Sequence, residues 1–265
     1  MNKKTFKKSL QTAAILAVLA CVAAGLAQDL QPIVLPAPQK TGGMPLMEAL
    51  NLRQTNRSMT EEKLPPQMLS NLLWAAFGVN RPEGQGPRGK VGRTAPSAMN
   101  MQEIDLYVAM PEGVYLYEAI PHKLSPVVAR DIRSIAARRP EMAKAPVILI
   151  FVTDTDKKPA PRPQGQPPGT PPSGTPPPQP PTGMQAPGVK PQGPPAGTPA
   201  PGAFPSFGEV DGGFIGQNVY LFCASAGLAT CFHGTDREGL AKAMNLRDAQ
   251  KVLYAQTVGY PAERK

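Results

Sequence analysis

The chain has 265 residues, of which 18% are charged and 41% hydrophobic, with 34 Pro, 25 Gly and a formal net charge of +9. That much proline does not suit one ordinary globular domain, and 19 of the 34 fall in residues 159–205, a stretch with no acid and a single aromatic, Phe204. Such a segment buries too little apolar surface to offset chain entropy, and its glycines do not recur at every third position, which excludes collagen.

At the N-terminus, Lys3, Lys4, Lys7 and Lys8 precede an apolar run from Ala13 to Ala27. This is a basic region followed by a hydrophobic region of secretory type, too short to span a bilayer and without a stop-transfer flank. Gly25-Leu26-Ala27 offers a small-x-small cleavage site. Residues 1–27 therefore read as a signal peptide, and the protein as exported, to the periplasm of a bacterium, with no transmembrane span in the mature chain. Lipid attachment at Cys21 is the alternative, although Leu19 fits a lipobox poorly. Cleavage removes four lysines and no acid, so the net charge falls from +9 to +5. No Lys/Arg run supports nucleic-acid binding.

What can fold is residues 28–158 and 206–265, read as one domain interrupted by a disordered Pro-rich insertion over 159–205. Pro45 to Arg53 has the pattern of a short helix with Leu46, Met47 and Leu50 on one side. A second helix starts at Pro66, with Met68, Leu69, Leu72, Leu73, Ala76 and Phe77 on one face and Gly78 at its end. Arg81 to Arg93 reads as a basic, Gly-rich loop. Residues 104–108 and 113–117 alternate with period two and form a hairpin. Ser125 to Arg139 reads as a helix, and Pro146 to Val152 as a strand covered on both faces. Asp211 is expected to cap a helix running to Ala226, with Gly227 just past its end. A strand near 228–232, a helix over 237–244 and a strand over 252–258 complete an α+β domain.

Cys223 and Cys231 are the cysteines left after cleavage, and a disulfide between them would need a close return of the chain. Two His and two Cys without short ligand spacing give no metal site. Nothing matches GxSxG, a Walker loop or HExxH.

Three segments carry candidate chemistry. In Arg53-Gln54-Thr55-Asn56-Arg57-Ser58, two guanidinium groups flank a hydroxyl and suit a phosphate. Thr94 to Gln102 is a small polar loop ahead of a strand, where Ser97 and Asn100 offer hydrogen bonds to a planar ligand. The third runs from Asp211 through Gly216, Gln217, Asn218 and Gly227 to Phe232-His233-Gly234, where backbone N–H groups end a strand. In each segment, solvated arginines, a strand-entry turn or packing glycines are the competing reading.

Taken in order, with Val258-Gly259-Tyr260-Pro261 at the end, these motifs resemble the nitroreductase superfamily of flavin enzymes. The hairpin Gly113-Val114-Tyr115-Leu116-Tyr117 followed by His122-Lys123-Leu124 resembles its SagB-type dehydrogenase branch. The resemblance implies a three-layer α+β sandwich with a mixed central sheet, forming a homodimer with FMN at the subunit interface. It implies that Arg53, Thr55 and Arg57 hold the FMN phosphate and ribityl chain, although Gln54 stands where the family often has a second Arg. Ser97 and Asn100 would sit against the flavin. His233 and Gly234 would present backbone N–H groups to its N5 and O4 edge, and Arg264 or Lys265 would meet the phosphate. The implied chemistry is ping-pong transfer of electrons or hydride through FMN N5, between a small-molecule donor and acceptor. Tyr115 and His122 are candidates for acid–base work, with core or surface roles favoured. The alternative is a degenerate member that binds a ligand or partner without turnover. The Pro-rich segment is either a tolerated insertion or a recruiting site for a polyproline-binding partner.

Overall fold

The computed structural model describes residues 30–83, 90–157 and 207–262. The expected signal peptide, the Pro-rich insertion and Arg264 all lie outside the described residues.

Seven strands form one sheet in the order β1-β6-β5-β4-β7-β9-β8. They are β1 (Ile33–Val34), β4 (Ile104–Met110), β5 (Gly113–Glu118), β6 (Lys123–Val128), β7 (Val147–Asp154), β8 (Ala229–His233) and β9 (Gln250–Gly259). Every neighbouring pair is antiparallel, so the mixed sheet expected above is corrected to an antiparallel one. A separate two-stranded ribbon joins β2 (Val79–Arg81) to β3 (Gly92–Arg93), at the two ends of the stretch expected to be loop.

Alternation along the strands splits the core in two. Leu106, Val108, Leu149, Phe151 and Val258 face one side, against α2 (Pro66–Phe77) and α4 (Gly208–Ala226). Tyr107, Ala109, Ile148, Ile150, Val152 and Ala255 face the other, against Ile132, α3 (Arg133–Ala136) and α5 (Arg237–Ala243). This is a three-layer α+β sandwich. It explains why all eight residues of β7 are buried: the strand is central and covered twice.

Two expectations fail for local reasons. Residues 125–139 are not one helix: Lys123–Val128 pairs with β5, and helix survives only over Arg133–Ala136. Pro126 removes a backbone donor, and β1 pairs with β6 only at Lys123 and Leu124, so the proline costs no ladder bond to that neighbour. Asp211 does not cap α4, which begins at Gly208; Asp211 is buried inside the first turn. Gly227 does end that helix, in the left-handed region at φ 69°.

α1 (Leu46–Leu52) buries only Ala49 and leaves Leu46, Met47 and Leu50 exposed. Its apolar face thus lies outside the core of this chain. Among the described residues no helix is long and apolar enough to cross a membrane.

Candidate functional site

β8 is an edge strand, and the first and third candidate segments meet along it. Asn56 donates its backbone N–H to Thr230 O at 2.9 Å, so residues 53–58 run beside the strand. Tyr220 of α4 ties the two together. Its ring lies under the Arg53 guanidinium at 5.4 Å, and its hydroxyl meets Thr55 Oγ1 at 3.0 Å and accepts from Phe232 N at 3.0 Å. Arg53, at the C-cap of α1, is half-buried, whereas Thr55 and Arg57 are exposed. Gly216 brings α4 close to this strand, because a Cβ there would meet the Phe232 ring at 2.8 Å.

His233 ends β8, buried, with Nδ1 2.8 Å from Gly234 O. A proton on Nδ1 satisfies that carbonyl and leaves Nε2 an acceptor, yet Nε2 is buried without a partner. Burial lowers the His233 pKa and keeps the ring neutral; the nearby Arg138 and Arg57 charges push the same way. Burial raises the Cys231 pKa, opposed by Arg57 and Arg139. Arg57 and Arg138 thus bring positive charge toward the end of β8. Open space lies beside Gly234, where an added Cβ would meet nothing within 4 Å.

Ser97 and Asn100 lie elsewhere, in a turn pinned to the start of α4. The Asp211 carboxylate accepts the Ala98 N–H at 3.0 Å. Burial raises the Asp211 pKa, the Ala98 hydrogen bond opposes this and the Glu103 charge adds to it. Ser97 Oγ accepts from Gln102 N at 3.1 Å, and Asn100 Oδ1 accepts from Gln102 Nε2 at 2.8 Å. Met99, Asn100 and Gln102 all hold φ near +50°, a strained setting for residues other than glycine. Asp211 and Tyr220 are nine residues apart on one helix, hence about 14 Å along its axis and on opposite sides of it. One chain therefore presents two candidate half-sites and does not bring Ser97 and Asn100 to Arg53 and His233.

Neither acid–base candidate occupies these half-sites. Tyr115 is buried in the core. His122 is clasped between Ser70 Oγ and Tyr117 OH, at 2.8 and 2.9 Å. Cys223 and Cys231 are buried free thiols, not a disulfide. Among the described residues no group of three or more His, Cys, Asp or Glu could hold a metal ion. Sequence reasoning missed Tyr220, Arg138 and Arg139. Tyr220 follows Gln217-Asn218 by two positions, but only the return of β8 gives its hydroxyl a purpose. Arg138 and Arg139 were absorbed into the end of a helix that does not form.

Comparison with known proteins is consistent with this architecture. The Nitroreductase family model matches residues 50–170. A crystal structure from Ralstonia eutropha JMP134, assigned to the nitroreductases, is 33% identical with TM-score 0.65; the match covers 90% of this chain and 93% of that one. Two more distant structures share the fold. One, from Anabaena variabilis and also assigned to the nitroreductases, is 14% identical with TM-score 0.55, covering 88% of this chain and 42% of that one. The other, in the E. coli microcin synthetase McbBCD complex, is 16% identical with TM-score 0.52, covering 92% and 82%. No curated protein matches the chain. With a three-layer α+β sandwich, the motifs in order and a one-third-identical relative matched over nearly its whole length, the chain belongs to the nitroreductase family.

Proposed function

We propose that the chain is an exported FMN-dependent oxidoreductase that works as a homodimer, each flavin held between the Arg53–His233 half-site of one copy and the Ser97–Asn100 half-site of the other. The observation that carries this reading is the Tyr220 junction, which sets Arg53 and Thr55 beside the end of β8. The residues suit the cofactor. Arg53 and Arg57 offer charge-assisted contacts to a phosphate, and the orphaned Nε2 of His233 is an acceptor for a ribityl hydroxyl or ring N–H. Open space beside Gly234 lets a planar group approach the backbone. Arg264 completes the phosphate contacts in this reading. Bound FMN would supply reversible two-electron transfer at N5, serving a small-molecule donor and acceptor in turn. The chain's part is to position it, to exclude water and to offer N–H donors where negative charge develops.

Dimerisation draws support from the apolar surface left on α1 and α4. Met47 is 76% exposed and Phe214 44%, and Val210, Phe214 and Gln217 form one exposed stripe on α4. Export argues against a nicotinamide donor, which is scarce outside the cytoplasm, and leaves a SagB-like oxidation or another reductant as the partner reaction.

The test is the visible spectrum of residues 28–265 after purification. A yellow protein that releases FMN on denaturation is expected. A colourless protein that takes up no added FMN would overturn the reading in favour of a non-catalytic binding module. N-terminal sequencing of the mature protein is expected to begin at Gln28; a lipid-modified start at Cys21 would replace free export with anchoring.

A further inference from the structure

We propose that the cleft between the β2–β3 ribbon and the Ser97–Asn100 turn binds an oxyanion, the carboxylate or phosphate group of an acidic small-molecule donor or acceptor. The cleft holds about 310 Å³ and is lined by Arg81, Lys90, Gly92, Arg93, Ser97 and Asn100, with no Asp or Glu among the described residues of its wall. That is room for a small organic group.

Arg93 is held by neutral groups. Arg93 Nε donates to Gln102 Oε1 at 2.9 Å, and Nη1 to Phe77 O at 3.2 Å, while the Phe77 ring lies 4.9 Å from the guanidinium. Arg93 is half-buried, and loss of solvent lowers its pKa. Asp105, whose charge favours its protonated form, is already paired with Lys157. Lys90 Nζ donates to Met101 O at 2.6 Å. The Arg81 guanidinium rests on Gly92, where an added Cβ would come within 2.5 Å of Nε and 2.7 Å of Cζ. Among the described residues neither Arg81 nor Arg93 forms an ion pair.

Like charges on the half-buried Arg93 and the exposed Arg81 repel until an anion enters, and guanidinium groups meet carboxylate or phosphate oxygens with two parallel hydrogen bonds. The anion site stands on these residues alone. Its assignment to a reactant rests on the proposed function, because Ser97 and Asn100 line both the cleft and the flavin half-site.

The test is calorimetric titration of the mature protein with inorganic phosphate and with acetate, against chloride at the same ionic strength, with FMN content measured on each sample. With FMN bound, so that Arg53 and Arg57 are already engaged, one site per chain is expected that prefers at least one oxyanion over chloride; comparing phosphate with acetate identifies the source. Arg81→Gln is expected to weaken binding by about tenfold or more, as loss of a charge-assisted contact implies. Gly92→Ala, which drives a methyl group into the Arg81 guanidinium, is expected to do the same. Circular dichroism checks that both variants fold. Oxyanion binding no tighter than chloride, or equal affinity in wild type and folded Arg81→Gln, overturns the proposal. Displacement of the Arg81-dependent phosphate by saturating FMN also overturns it, by making the cleft the seat of the flavin's own phosphate. Arg81-dependent phosphate binding by a protein that takes up no FMN upholds the anion site and defeats the flavin reading instead.

Discussion

The two histidines of the chain show how differently one residue type can be used. His122 is held at φ 49°, and its hydrogen bonds define its tautomer. Ser70 Oγ donates to Pro36 O at 2.6 Å, so it accepts from His122 Nε2–H, and Nδ1 accepts from Tyr117 OH. The neutral ring satisfies every partner. Burial lowers the His122 pKa, as it does that of His233. The unfolded chain then binds more protons than the native one once pH falls below the ordinary histidine value of about 6.5, so stability is full above that value and declines below it. Lys40 reinforces the shift at His122, and Arg138 and Arg57 reinforce it at His233. Asp211, raised by burial, acts in the opposite sense nearer the carboxylate range. The midpoint of urea unfolding is expected to be lower at pH 5 than at pH 8, and His122→Gln is expected to flatten the profile; a flat wild-type profile would contradict this account. For Arg53→Ala, flavin titration is expected to show affinity reduced by about tenfold or more, with the fold intact.

Among the elements, α4 joins most of the parts. It covers one face of the sheet, anchors the Ser97–Asn100 turn through Asp211, and carries Tyr220 to the end of β8. Its close approach depends on Gly216, since a Cβ there would overlap the Phe232 ring. Gly216→Ala is therefore expected to destabilise the protein by about 1–3 kcal/mol, read from urea unfolding. Elements with strong local signals were legible in the sequence: the 66–77 helix by its apolar face, the 104–118 hairpin by alternation, and β7 by its unbroken apolar run. The failures were tertiary. Residues 123–128 become a strand because β5 offers them a partner, which helical periodicity cannot reveal. The start of α4 moves upstream because Asp211 serves a loop more than a hundred residues away. The resemblance gathered Arg53, Thr55 and His233 with Ser97 and Asn100 around one flavin. Their distance from Ser97 and Asn100 within one chain was hidden, because helical phase across α4 is not a property of any motif.

For the whole molecule, apolar surface is the dominant unresolved term. A monomer that exposes Leu46, Met47 and Leu50 on α1, and Val210 and Phe214 on α4, gains by covering them. Met47→Asp and Phe214→Asp are each expected to convert a dimer to a monomer in analytical ultracentrifugation and to cost flavin with it; dimers that survive both changes would locate the interface elsewhere. A different consequence follows from Gly208, whose missing side chain lets it approach Thr153, with Oγ1 and Cβ 2.9 and 3.0 Å from where a Cβ would stand. The strand that leaves the sandwich at β7 and the helix that re-enters it at α4 are therefore neighbours in space. Residues 158–206 join them in sequence. A few Gly-Ser residues spliced in their place would close the ring with less entropy lost, raising stability by about 2 kcal/mol. The same junction is a natural port for grafting a second protein onto this scaffold.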